Sequence, residues 1–241
     1  FSDIRVLDVN GDGVQDIVGR ETDGSWWATI FNGLWFSNQY LGWTNPELPI
    51  DQILVADLDA DGRQEIAVHN SQSGEWWSVG STSTSSSMQY LGRWEPAHSF
   101  VDVQLANVDG SARPQIIGRD AMTGVWSLLA FTGTRYETRV VATWEAAIDW
   151  RYATAGDIDG DARDELVAQD AATGNWWATF FDGTSSTVRQ IGQWNADTSY
   201  TDVVLADLDA DGRQEIIGRD AASGAWLALK ASGGDYRTLT I

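Results

Sequence analysis

The chain has no cysteine, two histidines (His69 and His98), four prolines, and 15 basic residues against 35 acidic ones in 241. Without cysteine there is no disulfide framework, no zinc-thiolate site and no thiol nucleophile, and the redox compartment is left open by that route. No run is long and apolar enough to span a bilayer, so membrane insertion is not expected. The net charge of -20 argues against nucleic acid or an anionic membrane surface as a partner. No Gly-x-Ser-x-Gly elbow and no phosphate-cradling loop occurs, and no segment carries a helical period. The start at Phe1, without a signal peptide, reads as a mature or trimmed chain.

Acidic residues are spaced in a particular way. Asp207, Asp209, Asp211 and Glu215 hold positions one, three, five and nine of a loop with Gly212 at position six. That is ligand spacing for a hard cation: Ca²⁺ takes oxygens from alternate residues of a tight loop, and a glycine turns the backbone so that the carbonyl of position seven, Arg213, faces inward. The loop recurs as Asp57, Asp59, Asp61, Arg63 and Glu65, as Asp157, Asp159, Asp161, Arg163 and Glu165 with Ala162 at position six, and as Asp8, Asn10, Asp12, Val14 and Asp16. A fifth copy, residues 107–115, keeps only Asp109 and gains Pro114, so it is read as a turn without metal. An EF-hand needs a bidentate Glu at position twelve, where this chain has Gly19, Val68, Gly118, Ala168 and Gly218. The competing reading of all the loops is a series of Asx-turns, in which the Asp side chains cap backbone amides. The metal reading predicts about four structural Ca²⁺ per chain and an extracellular setting, where free Ca²⁺ is high.

The loops begin at 8, 57, 107, 157 and 207, a period of 49 or 50 residues that belongs to propellers and solenoids. Each repeat reads as four strands. Trp26–Phe31 is the third strand of the first, Asn32-Gly33 a hairpin turn, and Gly42–Pro49 a connector. The expectation is an all-β, five-bladed propeller of four-stranded antiparallel blades, approximately 1–49, 50–99, 100–149, 150–199 and 200–241, in one domain; an open five-unit stack is the alternative. Contiguous blades would leave ring closure to packing between the first and last. The serine-rich run 81–87 falls at a hairpin tip.

Fourteen tryptophans are the second signal. Those of the third strands, Trp26, Trp76, Trp126, Trp176 and Trp226, are expected in the core. The connector set, Trp43, Trp94, Trp144 and Trp194, is open between core and a platform on which a glycan could stack. Arg20, His69, Arg119, Gln169 and Arg219 follow each second strand and could line a ligand face or fix local turns. On the first strands, the face holding Ile4 and Val6 is expected to pack. Asp3, Asp102 and Asp202 are the acids around which an enzyme reading could be built.

The tandem Asp-x-Asp-x-Asp-Gly loops, each followed by Ile-Ile-Gly, Ile-Val-Gly or a close variant, resemble the FG-GAP/VCBS repeat family over the whole chain. The family includes integrin α-subunit heads and some fungal lectins. The resemblance implies Ca²⁺ in the first hairpin of a blade and recognition elsewhere on the propeller. The function expected is therefore non-enzymatic, calcium-binding recognition or adhesion, with a glycan or a protein as ligand; a glycan-active enzyme and a plain repeat scaffold are the alternatives.

Overall fold

The computed structural model describes residues 1–81, 86–111, 113–183 and 185–241, so the tip of the serine-rich run, 82–85, lies outside the described residues. The first sheet holds β1 (Ser2–Leu7), β2 (Asp16–Arg20), β3 (Ser25–Phe31) and β4 (Phe36–Trp43). The second holds β5 (Ile50–Ala56), β6 (Glu65–Asn70), β7 (Glu75–Ser81) and β8 (Ser86–Arg93). The third holds β9 (Phe100–Ala106), β10 (Gln115–Asp120), β11 (Val125–Phe131) and β12 (Tyr136–Thr143). The fourth holds β13 (Trp150–Gly156), β14 (Glu165–Asp170), β15 (Asn175–Phe181) and β16 (Ser186–Gln193). The fifth holds β17 (Tyr200–Ala206), β18 (Glu215–Asp220), β19 (Trp226–Ser232) and β20 (Asp235–Thr240). Strands within each sheet are neighbours in chain order. This is the five-bladed β-propeller fold class, each blade made from contiguous chain.

The chain divides into two compact units, Phe1–Ser99 with Ala112–Ile116 and Ser127–Arg139, and Phe100–Ser111 with Ile117–Trp126 and Val140–Ile241. In the first, Leu7, Val9, Val18, Trp26, Ile30 and Leu41 pack with Ile66, Val68 and Val79 of the second blade. In the second, Ile158, Val167, Trp176, Ile191 and Trp194 pack with Tyr200, Ile216 and Leu229 of the fifth. The second strands β6, β10 and β14 are buried along nearly their whole length, on both faces, because a single sheet has no partner for its own apolar face and must be covered by a neighbouring blade.

Simple alternation fails at the start of the first strands. Register shifts interrupt the pairing between Ser2 and Arg5, Arg151 and Thr154, and Thr201 and Val204. Asp3, Tyr152 and Asp202 there have φ of 53°, 57° and 54°, in the left-handed region. A bulge re-aims the side chains that follow it. Ile4 and Val6, expected to pack, are 56% and 60% exposed, although the corresponding Ile53 and Val55 pack on the core of the first blade and Val203 and Leu205 on that of the fourth, so the face packs only where a preceding blade covers it.

The turn between second and third strands shows why glycine recurs at Gly74, Gly124 and Gly174. A Cβ there would run into the carbonyl oxygen of Trp94, Trp144 or Trp194. Those same connector residues donate their N–H back to the glycine carbonyls, at 2.8–2.9 Å. The close approach ties each connector to its own blade.

Candidate metal loops and an aromatic cavity

Each metal-like loop bridges the first and second strands of its blade and bends through left-handed residues. Position four is Gly11, Ala60, Gly160 or Ala210 and position six Gly13, Gly62, Ala162 or Gly212, all with φ between 59° and 88°. Ala162 therefore makes the same turn as the glycines, at a cost of roughly 1–2 kcal/mol for an L residue in that region.

Among the described residues, three groups of acids converge so that one oxygen of each lies within 4.8 Å of the others: Asp57, Asp59 and Asp61; Asp157, Asp159 and Glu165; and Asp207, Asp209 and Glu215. Asp8, Asp12 and Asp16 form no such group. Asp16 is one methylene shorter than Glu, and its two oxygens accept from the N–H of Phe31 and Val9, both at 3.3 Å. Asn10 contributes an amide oxygen where the other loops have a carboxylate. In the third loop Ser111 N–H donates to Asp109 at 2.9 Å.

The acids also cap the loop backbone. Asp57 accepts from Asp61 N–H and Gly62 N–H at 3.1 and 2.9 Å, and Asp157 from Gly160 N–H and Ala162 N–H at 2.6 and 2.9 Å. Each carboxylate oxygen has two lone pairs, so capping and cation binding are compatible. Arg63 and Arg163 each donate from Nη1 to the outer oxygen of Asp61 and Asp161, at 2.8 Å. Val14 N–H and Arg213 N–H cap onto Asp12 and Asp211.

The fourth loop passes a test of fit to a cation. Glu165 is fully buried, its Oε2 accepts from Ile158 N–H at 2.9 Å, and its Oε1 has no hydrogen-bond partner. Burial pushes its carboxyl up to about 8, against the Ile158 N–H, and the neighbouring Asp159 and Asp157 raise it further. Glu65 is likewise pushed up to about 8 by burial. Such groups hold a buried negative charge badly unless a cation joins them. The fifth loop differs: Lys230 Nζ lies 2.6 Å from Asp209, 3.1 Å from Asp211 and 3.0 Å from Glu215 Oε1.

An inter-blade clasp went unseen in the sequence. Gln64 N–H donates to the Asp8 carbonyl and its Oε1 accepts from Asp8 N–H, both at 2.8 Å. Asp164 makes the same pair with Asn107, at 2.8 and 2.6 Å, and Gln214 N–H reaches the Asp157 carbonyl at 2.7 Å. The signal was the recurring Gln, Asp and Gln at loop position eight. Pro114 at that position has no N–H to donate; there Arg113 Nε bonds the Asp59 carbonyl at 2.9 Å.

The connector tryptophans split. Trp94, Trp144 and Trp194 are 2–4% exposed and meet Trp76, Trp126 and Trp176 edge to face at 5.0–5.1 Å. They are core, which corrects the platform reading: edge-to-face indoles bury more area than either exposes. Trp43 alone of the set is open, at 49% exposure, its Nε1–H held by the Asp23 carbonyl at 2.7 Å. Of the third-strand set, Trp26, Trp76, Trp126 and Trp176 are fully buried and Trp226 is 38% exposed.

The set expected after the second strands lies at the ends of those strands, β2, β6, β10, β14 and β18, and mostly fixes turns. Arg119 pairs with Asp102 at 2.7 Å, Arg20 donates to the Asn45 carbonyl at 3.0 Å, and Gln169 to the Gly174 carbonyl at 3.2 Å. All three are buried, which replaces their ligand-facing reading, whereas Arg219 is exposed. Of the acids open to an enzyme reading, Asp102 is taken by Arg119, Asp3 lies 3.9 Å from Arg20, and Asp202 accepts from Thr201.

His69 is the exception. Within the first unit, a cavity of about 330 Å³ lies between the first two blades, with Trp43, Leu48, Ile50, Trp77 and Met88 among its apolar walls and Asn45, His69, Asn70 and Glu75 among its polar ones. His69 is 4% exposed, packs at a tilt against Trp76 with ring centres 4.8 Å apart, and bonds Asp51 through Nδ1 at 2.8 Å. Its Nε2 is buried without a hydrogen-bond partner. Trp77 is braced by Tyr90, edge to face at 5.3 Å, and its Nε1–H reaches Glu75 at 3.3 Å.

No protein-family model matches the chain, and no curated protein matches it. Among solved structures the WD40 domain of SCAP from fission yeast is similar at 10% identity and a TM-score of 0.48, over 94% of this chain and 61% of that one. A lectin of Agrocybe aegerita, described by its specific recognition of non-reducing terminal N-acetylglucosamine, is similar at 15% identity and a TM-score of 0.71. That match covers 98% of this chain, which spans 65% of the lectin chain's length. At such identity the likeness is one of fold, and the fold is a β-propeller of repeated four-stranded antiparallel blades.

Proposed function

We propose that the protein is a non-enzymatic recognition module that takes a terminal sugar in the cavity between its first two blades, with Ca²⁺ in the first, second and fourth loops stiffening the hairpins. The cavity carries the sugar reading. Its volume of about 330 Å³ falls in the size range of small-ligand sites, roughly 300–1,000 Å³. Trp43 and Trp77 supply apolar faces for the C–H face of a pyranose, and Asn45, Asn70 and Glu75 supply polar groups for its hydroxyls or an acetamido group. The corresponding residues of later repeats are Arg93 and Ser127, Thr143 and Trp177, and Gln193 and Leu227, so the double-indole site occurs once per chain. The lectin's recognition of terminal N-acetylglucosamine supports that sugar as the first probe.

The calcium reading is supported by the resemblance of the loop motifs to FG-GAP/VCBS repeats and by the buried, unpartnered Glu165 Oε1 beside Asp157 and Asp159. Bound Ca²⁺ would supply the missing positive charge there and link the first strand to the second. Metal of this affinity class fits an extracellular protein. A glycan array, with product analysis on every glycan bound, tests the proposal. Binding without turnover that is lost in Trp77→Ala supports recognition; turnover lost on changing Asp3, Asp102 or Asp202 would replace it with an enzyme.

A further inference from the structure

The fifth loop carries the same four acids as the fourth, at the same positions, yet a lysine reaches into it. Lys230 on β19 is the single lysine of the chain. Corresponding positions in the other four repeats hold Ile30, Gly80, Ala130 and Phe180, none of which carries charge. From Lys230 the Nζ reaches three carboxylates at once, Asp209, Asp211 and Glu215, at 2.6, 3.1 and 3.0 Å. The oxygen that Lys230 meets on Glu215 is Oε1, while Oε2 accepts from Leu208 N–H at 2.9 Å. In the fourth loop Glu165 makes the equivalent Oε2 bond to Ile158 N–H, and its Oε1 is the buried atom left without a partner. The ammonium thus occupies the place in the fifth loop that stays open in the fourth.

We propose that Lys230 is the resident cation of the fifth loop, a tethered ammonium that satisfies Asp209, Asp211 and Glu215 and keeps Ca²⁺ out of a loop whose sequence otherwise matches the metal motif. An ammonium fixed by its own strand has an effective concentration no free ion at millimolar levels matches, and a Ca²⁺ entering the loop would have to expel it against three charge-assisted hydrogen bonds. The last blade would then keep its first hairpin closed at any calcium level, while the hairpins of the other acidic loops depend on the ion.

The inference rests on the calcium reading of those other loops, and the test separates the two. Ca²⁺ is titrated calorimetrically into the chelator-stripped full chain, and bound ions are counted by metal analysis. Lys230→Ala should bind one more ion per chain than the parent, and Lys230→Ile, which installs the residue found in the first blade, should do the same if the alanine variant folds poorly. Asp209→Asn should leave the parent's count unchanged and remove the extra ion from the Lys230→Ala protein, whereas Asp159→Asn should lower the parent's count by one. Acetylation of Lys230 should be slow and indifferent to added Ca²⁺. If Asp209→Asn removes an ion from the parent, if neither Lys230 variant gains one, or if Ca²⁺ accelerates the acetylation, the tethered-cation proposal is overturned while the calcium reading stands. If no variant and no parent binds any ion, the calcium reading fails and takes this proposal with it.

Discussion

Replacing Glu165 by Gln should change stability with opposite signs in chelator and in calcium. Glu165 is fully buried, with one oxygen on Ile158 N–H and the other without a partner. Burial raises its carboxyl from the ordinary 4.5 to about 8. At pH 7 the metal-free fold therefore keeps a proton that the unfolded chain has released, and at ~1.4 kcal/mol per pH unit this costs roughly 3 kcal/mol. Glutamine carries no such penalty, and its carbonyl can still accept from Ile158 N–H. In chelator the variant should melt several degrees above the parent, at about 2–4 °C per kcal/mol for a chain of this size. With Ca²⁺ about a hundredfold above its dissociation constant, the parent gains about 2.7 kcal/mol per site, which the neutral amide forfeits in large part. Differential scanning calorimetry in both media decides the matter. A variant that is less stable than the parent in chelator and in calcium alike would show that Glu165 is an ordinary hydrogen-bond acceptor with no ion beside it.

Stability against pH should follow the same groups. Glu65 and Glu165 both have folded values near 8, above the ordinary 4.5. Stability is then highest below about 4.5 for these two contributions and falls as pH rises toward 8; in chelator the melting temperature should drop between pH 5.5 and 8.5, and added Ca²⁺ should flatten the slope. A melting temperature that rises across this range in chelator contradicts the assignment. Ala162→Gly relieves a left-handed alanine at φ 67°, and after the glycine's entropy cost it should stabilise by about 0.5–1 kcal/mol in urea melts. Gln64→Ala removes one acceptor of the clasp and orphans Asp8 N–H. It should cost about 1–2 kcal/mol by the same assay, and an unchanged midpoint would mean that water replaces the side chain at no loss.

The repeat, the strands and the loops were legible because each has a short-range cause. Alternating apolar residues make strands, glycine and Asx chemistry make turns, and the 50-residue spacing makes blades. Trp26, Trp76, Trp126 and Trp176 were legible as core for the same reason, whereas Trp226, expected there too, is 38% exposed. What could not be read depends on contacts between residues far apart in sequence. Trp43 and Trp94 sit in similar connectors, yet one is 49% exposed and the other 2%. The difference is one of register: Thr44 and Trp94 are the residues that donate their N–H to the turn glycine's carbonyl, so Trp43 sits one position earlier and turns to the other face, over the Asp23 carbonyl, while Trp94 packs edge to face on Trp76. Lys230 lies 15 residues beyond Glu215 on another strand, so nothing in the loop motif announces it. The bulges at Asp3, Tyr152 and Asp202 were hidden because tyrosine does not mark a left-handed backbone and aspartate, which tolerates one, is too common in this chain to single out two positions.

The most direct test of the recognition reading is a calorimetric titration of N-acetylglucosamine into the calcium-loaded chain, repeated with Trp43→Ala and Trp77→Ala. Thermal melts run alongside establish that each variant is folded. The cavity predicts saturable binding at one site per chain, weakened about tenfold or more by either substitution as a stacked indole face is lost. A folded parent that binds neither this sugar nor any other monosaccharide, or binding that both variants retain at full affinity, would contradict it.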